Sequence, residues 1–226
     1  MRGKSLGNIV SGKCAAGILG AFCLVAACAN RLWAQSHDEA LKTFTAPDGA
    51  FSFRYSNNLV HCERKKQGSG DDYYWAPGDT CAAYNPVCDD IVGQHQTSIA
   101  CFAYPQNKFT NTRAFEAATF SVEVINDSAT EKSCLAGPPD AERRSTTTIH
   151  GVSFRAFEVG QAAMNQGVDD DVYRTFHKGK CYQLGIDVAT ANAEIADPPE
   201  RELTDADWHE VNGRLEQARD SFRFLK

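Results

Sequence analysis

Apolar and polar residues alternate in short runs through most of this chain. Phe51-Ser52-Phe53-Arg54-Tyr55 sets three aromatics on one side of a strand, opened by the turn Pro47-Asp48-Gly49. Residues 97–104 are apolar enough for another strand, which Pro105 ends. In 119–125, Phe120, Val122 and Val124 oppose Ser121 and Glu123. Residues 146–149 and 152–159 flank His150-Gly151, a hairpin signal, since a two-residue turn ending in glycine tolerates the positive φ it requires. Residues 172–176 and 181–188 flank His177-Lys178-Gly179-Lys180, a second hairpin. In its later strand Tyr182, Leu184, Ile186 and Val188 share one face.

Two segments change to helical spacing. Residues 126–135 predict a short helix stopped by Gly137-Pro138-Pro139. After the break at Asp197-Pro198-Pro199, Thr204 is placed to cap a helix whose first turn is acidic at Asp205 and Asp207. Trp208, Val211, Leu215, Ala218, Phe222 and Leu225 follow at alternating steps of three and four, one apolar face. Glu210 and Arg214 form an i,i+4 pair on the polar side. No second helix of similar length is predicted to partner this one, so it packs on a sheet. The fold class is α+β: a central antiparallel sheet with a long C-terminal amphipathic helix packed on it.

The first 34 residues follow a different pattern. Arg2, Lys4 and Lys13 precede an apolar stretch over 14–29 that is short for a bilayer span and broken by Gly17 and Gly20. This reads as a secretory signal peptide over residues 1–34. Cleavage after Ala34 would leave Gln35 first; alternatively, Val25-Ala26-Ala27-Cys28 resembles a bacterial lipobox, in which Cys28 carries lipid. Membrane attachment is expected only in that second case. Residues 35–46 are mostly polar and read as a tether, leaving 47–226 as a single disulfide-containing domain. The chain carries a formal net charge of −6. The leader contains basic residues and no acidic ones, so the exported part is more acidic still, which disfavours nucleic acid as a partner.

Beyond the leader stand Cys62, Cys81, Cys88, Cys101, Cys134 and Cys181. An even number in an exported chain implies a disulfide framework, and no Cys-x-x-Cys points to a redox or zinc site there. Cys81 and Cys88 enclose an Asn-Pro turn and can close a small loop; Cys62 and Cys101 flank it; Cys134 is left for Cys181. Connectivity is not deducible from spacing alone. Residues 65–90 read as a long, glycine-containing excursion, and Tyr73-Tyr74-Trp75 within it is the candidate binding segment, because tyrosine and tryptophan are enriched at binding hot spots. The same aromatics would serve equally to cover core beneath the loop.

Other candidates have plainer readings. His61-Cys62 is poorly placed for a nucleophile pair, since neighbours in a strand point to opposite faces. Asp169-Asp170-Asp171 reads as a solvated acidic turn, lacking the spaced ligands of a calcium loop. His150 and His177 fall in hairpin turns without zinc-type spacing. Ser145 beside Thr146, Thr147 and Thr148 has no nucleophile elbow, and the only Gly-x-Ser-x-Gly, at residues 3–7, lies in the leader.

The order of elements resembles the PsbP-like family. The resemblance rests on Ala46-Pro47-Asp48-Gly49-Ala50 leading into Phe51-Ser52-Phe53-Arg54-Tyr55, then Gly151-Val152-Ser153-Phe154, Tyr173-Arg174-Thr175-Phe176, Cys181-Tyr182-Gln183-Leu184 and a C-terminal Ser221-Phe222-Arg223-Phe224. It covers about residues 45–225. Ser56 stands where that family often has proline, and the cysteine-bearing excursion after Cys62 looks like an addition. The resemblance implies an α/β/α-like sandwich and a non-enzymatic adaptor or protein-binding role, with no site residue to carry over. The expected function is therefore an exported non-catalytic binding or adaptor module with a protein partner and no cofactor. The alternative is an extracytoplasmic hydrolase using His150 or His177.

Overall fold

The computed structural model describes residues 40–66, 73–76, 96–105, 109, 114–139, 141–163, 166–192 and 201–226. In chain order the strands are β1 (Leu41–Thr45), β2 (Phe51–Ser56), β3 (Val60–His61), β4 (Glu63–Lys66), β5 (Tyr73–Ala76), β6 (Gln96–Ala103), β7 (Phe115–Ile125), β8 (Arg143–Ile149), β9 (Val152–Ala163), β10 (Gln166–His177), β11 (Lys180–Ala191) and β12 (Arg223–Phe224). The helices are α1 (Glu131–Cys134), before β8, and α2 (Asp205–Asp220), before β12. Seven strands form one sheet in the order β3-β6-β7-β11-β10-β9-β8; β1-β2-β12 form a second sheet and β4-β5 a third. Every pairing is antiparallel.

Both predicted hairpins close on two-residue turns. His150 and Gly151 have φ of 45° and 80°, and Lys178 and Gly179 have 47° and 80°. Positive φ at both central positions matches the right-handed twist of the flanking strands, and glycine takes the second at no steric cost. The strands are longer than their alternation alone indicates. β7 starts at Phe115, and both of its faces are covered almost throughout.

The main core lies between one face of the large sheet and the layer formed by β1-β2-β12 with α2. Phe51, Phe53, Phe102, Phe120, Leu184, Leu215 and Phe222 are buried there. Rings meet at 5.2 Å for Phe53 and Phe102 and 5.0 Å for Phe53 and Phe120, both edge-on, the geometry aromatic quadrupoles prefer. Each such side chain contributes roughly 1.5–3 kcal/mol by leaving water.

Four expectations are corrected. Leu41–Thr45, read as part of a tether, is strand β1, anchored by Phe44 against Phe53 and Phe102 at 5.2 and 5.4 Å. The C-terminal helix has 16 residues and stops at Asp220 rather than continuing through Leu225. Ser221 Oγ accepts from Arg54 N at 2.7 Å, which turns the chain onto β2, so Phe222 reaches the core outside the helix and Phe224 joins β12. The short helix spans only Glu131–Cys134; Thr130 and Ser133 form a reciprocal capping box that fixes its start. The excursion is not all loop, because Glu63–Lys66 pairs with Tyr73–Ala76. The N-cap at Thr204 is as predicted: its hydroxyl accepts from Asp207 N at 3.2 Å, and Asp207 Oδ2 accepts from Thr204 N at 2.9 Å. The sandwich implied by resemblance is, among the described residues, one 16-residue helix and a small sheet on one face, with four-residue α1 at the end of the other.

Candidate functional site

Strand β10 organises the polar chemistry. Asp169, Asp170 and Asp171, expected in a solvated turn, lie within this strand, paired to β9 on one side and β11 on the other. Strand alternation then sends Asp170 and Asp171 to opposite faces of the sheet.

On the α2 side, Asp171 joins an open groove of about 260 Å³ lined by Ser145, Thr147, Glu158, Asp171, Tyr173 and Arg219. Asp171 lies directly across from Glu158 in the β9–β10 ladder. Arg219, in the last turn of α2, donates from Nη1 to Tyr173 Oη at 2.7 Å, and its guanidinium lies 5.0 Å from that ring's centroid. Its charge is shared with Asp220 at 2.7 Å and Glu216 at 3.7 Å. Burial and the facing Glu158 charge raise the Asp171 pKa above the usual carboxylate value, more than Arg219 and the Tyr173 hydroxyl lower it. The groove thus sets two carboxylates, Asp171 and Glu158, beside the Arg219 guanidinium.

On the other side, strand neighbours build a buried polar patch. Glu123 is 1% exposed. It accepts from Ser121 Oγ at 2.8 Å and from Gln183 Nε2 at 3.0 Å, while Arg174 Nε donates to Gln183 Oε1 at 2.6 Å. One ladder step away, Thr119 Oγ1 donates to Asp187 Oδ2 at 3.0 Å, and Asp187 faces Asp170 across the β10–β11 pair. Gly185 makes room between the two rows: a Cβ there would stand 2.6 Å from Ser121 Oγ. Burial pushes Glu123 from 4.5 up to about 7, against the opposing pull of Ser121, Arg174 and Gln183. Asp187 is pushed well up by burial first, then by the charges of Asp170 and Glu123.

The sequence candidates fall elsewhere. Tyr73, Tyr74 and Trp75 lie on β5, opposite Lys66, Lys65 and Arg64 of β4. Cys134 and Cys181 are disulfide-bonded, with Cα atoms 5.4 Å apart, tying α1 to β11. Cys62 and Cys101 are also disulfide-bonded and buried, and Cys62 N donates to Cys101 O at 2.9 Å. Cys81, Cys88, Cys28 and the proposed signal peptide lie outside the described residues. The His61 ring stacks on Phe102 at 4.5 Å. His177 stacks on Phe224 at 3.8 Å, and burial lowers its pKa. His150 sits exposed in its turn. Among the described residues no cluster of three His, Cys, Asp or Glu could hold a metal ion, and no helix is long and apolar enough to cross a membrane.

Sequence reasoning missed Glu123, Asp187, Tyr173 and Arg219. A usable signal was present for the first two: a carboxylate inside each of two strongly apolar strands, at the phase opposite the apolar stripe. Arg219 and Tyr173 are 46 positions apart, and nothing local joins them.

No family model matches the chain, and no curated protein does. Among solved structures it is similar to a protein of Bacteroides thetaiotaomicron, with 10% identity and a TM-score of 0.41, over 82% of this chain and 48% of that one. It thus spans about half the length of that protein. It is also similar to cyanobacterial PsbP from Synechocystis, with 12% identity and a TM-score of 0.39, over 82% and 93% of the two chains. The Ran-binding protein Mog1p of Saccharomyces cerevisiae matches with 12% identity and a TM-score of 0.41, over 82% and 95%. The chain therefore has a weak likeness to PsbP-like structures, which assigns it no site and no activity.

Proposed function

We propose that this chain is an exported, non-catalytic binding module that docks a protein partner at the groove between β8, β10 and the end of α2. The observation that carries the reading is the groove itself: open and polar, with the carboxylates of Asp171 and Glu158 beside Arg219, which is held by Tyr173, Asp220 and Glu216. Ser145 and Thr147 are the aliphatic hydroxyl groups of that lining, and among the described residues no histidine lines it beside them to serve as a base. The hydrolase alternative is disfavoured by the packing of His177 on Phe224. Export is supported by the Cys134–Cys181 bridge, which persists in oxidising compartments, and by the leader. Tyr73, Tyr74 and Trp75 stand as a second contact segment.

The test compares capture of partners from an envelope extract by the wild-type chain and by Ser145→Trp, which fills the groove from an exposed strand position. A partner held by the wild type and lost by the variant is the expected result. A partner held equally by both rejects the groove, and loss on Tyr74→Ala with Trp75→Ala would move the site to β5.

A further inference from the structure

On the face of the large sheet opposite the groove, three arginines come together across β8, β9 and β10. Arg155 of β9 lies directly across from Arg174 of β10 on one side and from Thr146 of β8 on the other. Arg144 stands two positions before Thr146, so strand alternation puts it on the same face, diagonal to Arg155. Thr148 and Ser153 face each other in the next row. Arg144, Thr146, Thr148 and Ser153 are exposed, and Arg155 and Arg174 are half-buried.

Like charges directly opposite one another in a sheet repel. The two paired side chains lean apart: Arg155 Nη1 donates to Thr146 Oγ1 at 3.2 Å, and Arg174 Nε donates to Gln183 Oε1 at 2.6 Å on its other side. Neither bond involves an acid. Among the described residues no carboxylate forms an ion pair with Arg144, Arg155 or Arg174. The acids that share this face lie to its sides. Glu142 stands two positions before Arg144 in the chain. Asp170, four positions before Arg174, is hydrogen-bonded to Asp187. Glu123 meets Arg174 only through Gln183, and burial pushes it up to about 7, which withholds much of its charge near neutral pH. The charge that relieves the Arg155–Arg174 pair is negative. Each guanidinium presents a planar fork of N–H donors that fits carboxylate and phosphate alike. Several forks with three hydroxyls offer more donors than the two oxygens of a carboxylate accept, whereas a phosphate group brings at least three strong acceptor oxygens and up to two charges.

We propose that Arg155 and Arg174, with Arg144 and the hydroxyls of Thr146, Thr148 and Ser153, form a binding site for a phosphate group, carried by a phosphomonoester or present as inorganic phosphate. The site lies across the sheet from the groove and does not depend on it. The formal net charge of −6 repels anions at long range, so selection rests on the forks at contact distance.

The experiment titrates the full oxidised chain with inorganic phosphate, glycerol phosphate and acetate at constant ionic strength. Binding is read from NMR shifts of the backbone amides and of the arginine Nε–H groups. A phosphate is expected to give saturable shifts at Thr146, Ser153, Arg155 and Arg174, with acetate about tenfold weaker. Arg155→Gln should weaken phosphate binding about tenfold, and Arg155→Lys should recover only part of the loss, because an ammonium keeps the charge but not the fork. Arg54→Gln, at an exposed position on β2, should leave the affinity unchanged. Tighter binding of glycerol phosphate supports a monoester as the ligand, and tighter binding of inorganic phosphate supports the free ion. Acetate binding as tightly as phosphate overturns the phosphate assignment. The site itself is overturned if neither phosphate saturates, if the shifts fall on other strands, or if Arg155→Gln binds as the wild type does. Should Arg155→Gln fail to fold, Arg144→Gln at its exposed position takes its place, with a loss of about threefold expected and an unchanged affinity overturning the site.

Discussion

Asp170 and Asp171 are consecutive residues in one strand, yet they belong to two different environments. Asp171 opens onto a groove where it shares space with Glu158, Tyr173 and Arg219. Asp170 faces Asp187 on the opposite side of the sheet, in the patch that holds Glu123. Both environments raise carboxylate pKa values, but by different balances. In the patch, burial dominates and hydrogen bonds from Ser121 and Gln183 only partly compensate. In the groove, burial is partial and neighbouring like charges contribute. An enclosed carboxylate left to neutralise is a structural device, since its cost is met by protonation and internal hydrogen bonds. An open site lined by carboxylates is accessible to a partner. The cysteines follow the same division. The Cys134–Cys181 bridge and the buried Cys62 and Cys101 pack among residues such as Ile125, Ala117 and Ala189, outside the main aromatic core. That core carries the opposite face with α2 and the small sheet.

If the face away from α2 depends on its covalent ties, breaking one should do more damage than any change in the groove. Cys134→Ala with Cys181→Ala removes a bridge spanning 47 positions. The chain-entropy argument puts the loss at about 4 kcal/mol, within the usual range for native bridges. Urea unfolding of the purified double variant measures it. A loss below about 1 kcal/mol would mean that α1 is held by its capping box and packing alone. Peptide mapping of the unreduced protein should also find Cys134 and Cys181 joined, with no free thiol among Cys62, Cys81, Cys88 and Cys101.

The next effect separates the two faces by pH. Glu123 holds its proton up to about 7 in the folded chain, against 4.5 for the ordinary carboxyl. The folded state therefore binds more protons than the unfolded state between those values, and stability falls as pH rises through the window. The contribution is complete below the unfolded value and gone above the folded one. The raised pKa of Asp187 acts in the same direction. Glu123→Gln keeps a neutral, hydrogen-bonding side chain at every pH. Its stability relative to wild type should rise by roughly 3 kcal/mol between about pH 4 and pH 8, from the size of the shift. Parallel stability curves for the two proteins would show that Glu123 is not a buried acid.

How much of this was legible follows from what each feature depends on. The hairpins at His150-Gly151 and Lys178-Gly179 were readable because turn chemistry is local. The N-cap at Thr204 and the stripe through Val211, Leu215 and Ala218 were readable for the same reason. The end of α2 was not, since the apolar spacing continues to Leu225. What stops the helix is Ser221 meeting Arg54 across the fold. Strand β1 escaped because Phe44 alone carries its packing. The acidic run was visible but misplaced: three aspartates suggest solvent, whereas strand alternation divides them between two faces. The groove required Arg219 and Tyr173 to meet, which is a property of the tertiary structure.

The smallest stability effect belongs to the groove and is the sharpest check on the contrast. Burial and the charges of Glu158 and Glu216 disfavour the ionised form of Asp171, so its negative charge costs the folded state at neutral pH. A raised carboxylate pKa contributes stability at low pH that is lost as pH rises. Asp171→Asn removes the charge and keeps an oxygen that can accept from the Tyr173 hydroxyl, which lies 3.5 Å from Asp171 Oδ2. The variant should be as stable as wild type or slightly more stable at neutral pH, within about 0.5 kcal/mol, the usual range for a site open to water. Thermal unfolding at neutral and mildly acidic pH measures this, and the small gain should vanish on acidification as wild-type Asp171 takes up its proton. A marked destabilisation would instead place Asp171 among the structural carboxylates, with Glu123. It would also remove the physical reason for treating the groove as a docking site, because the charge would then be serving the fold.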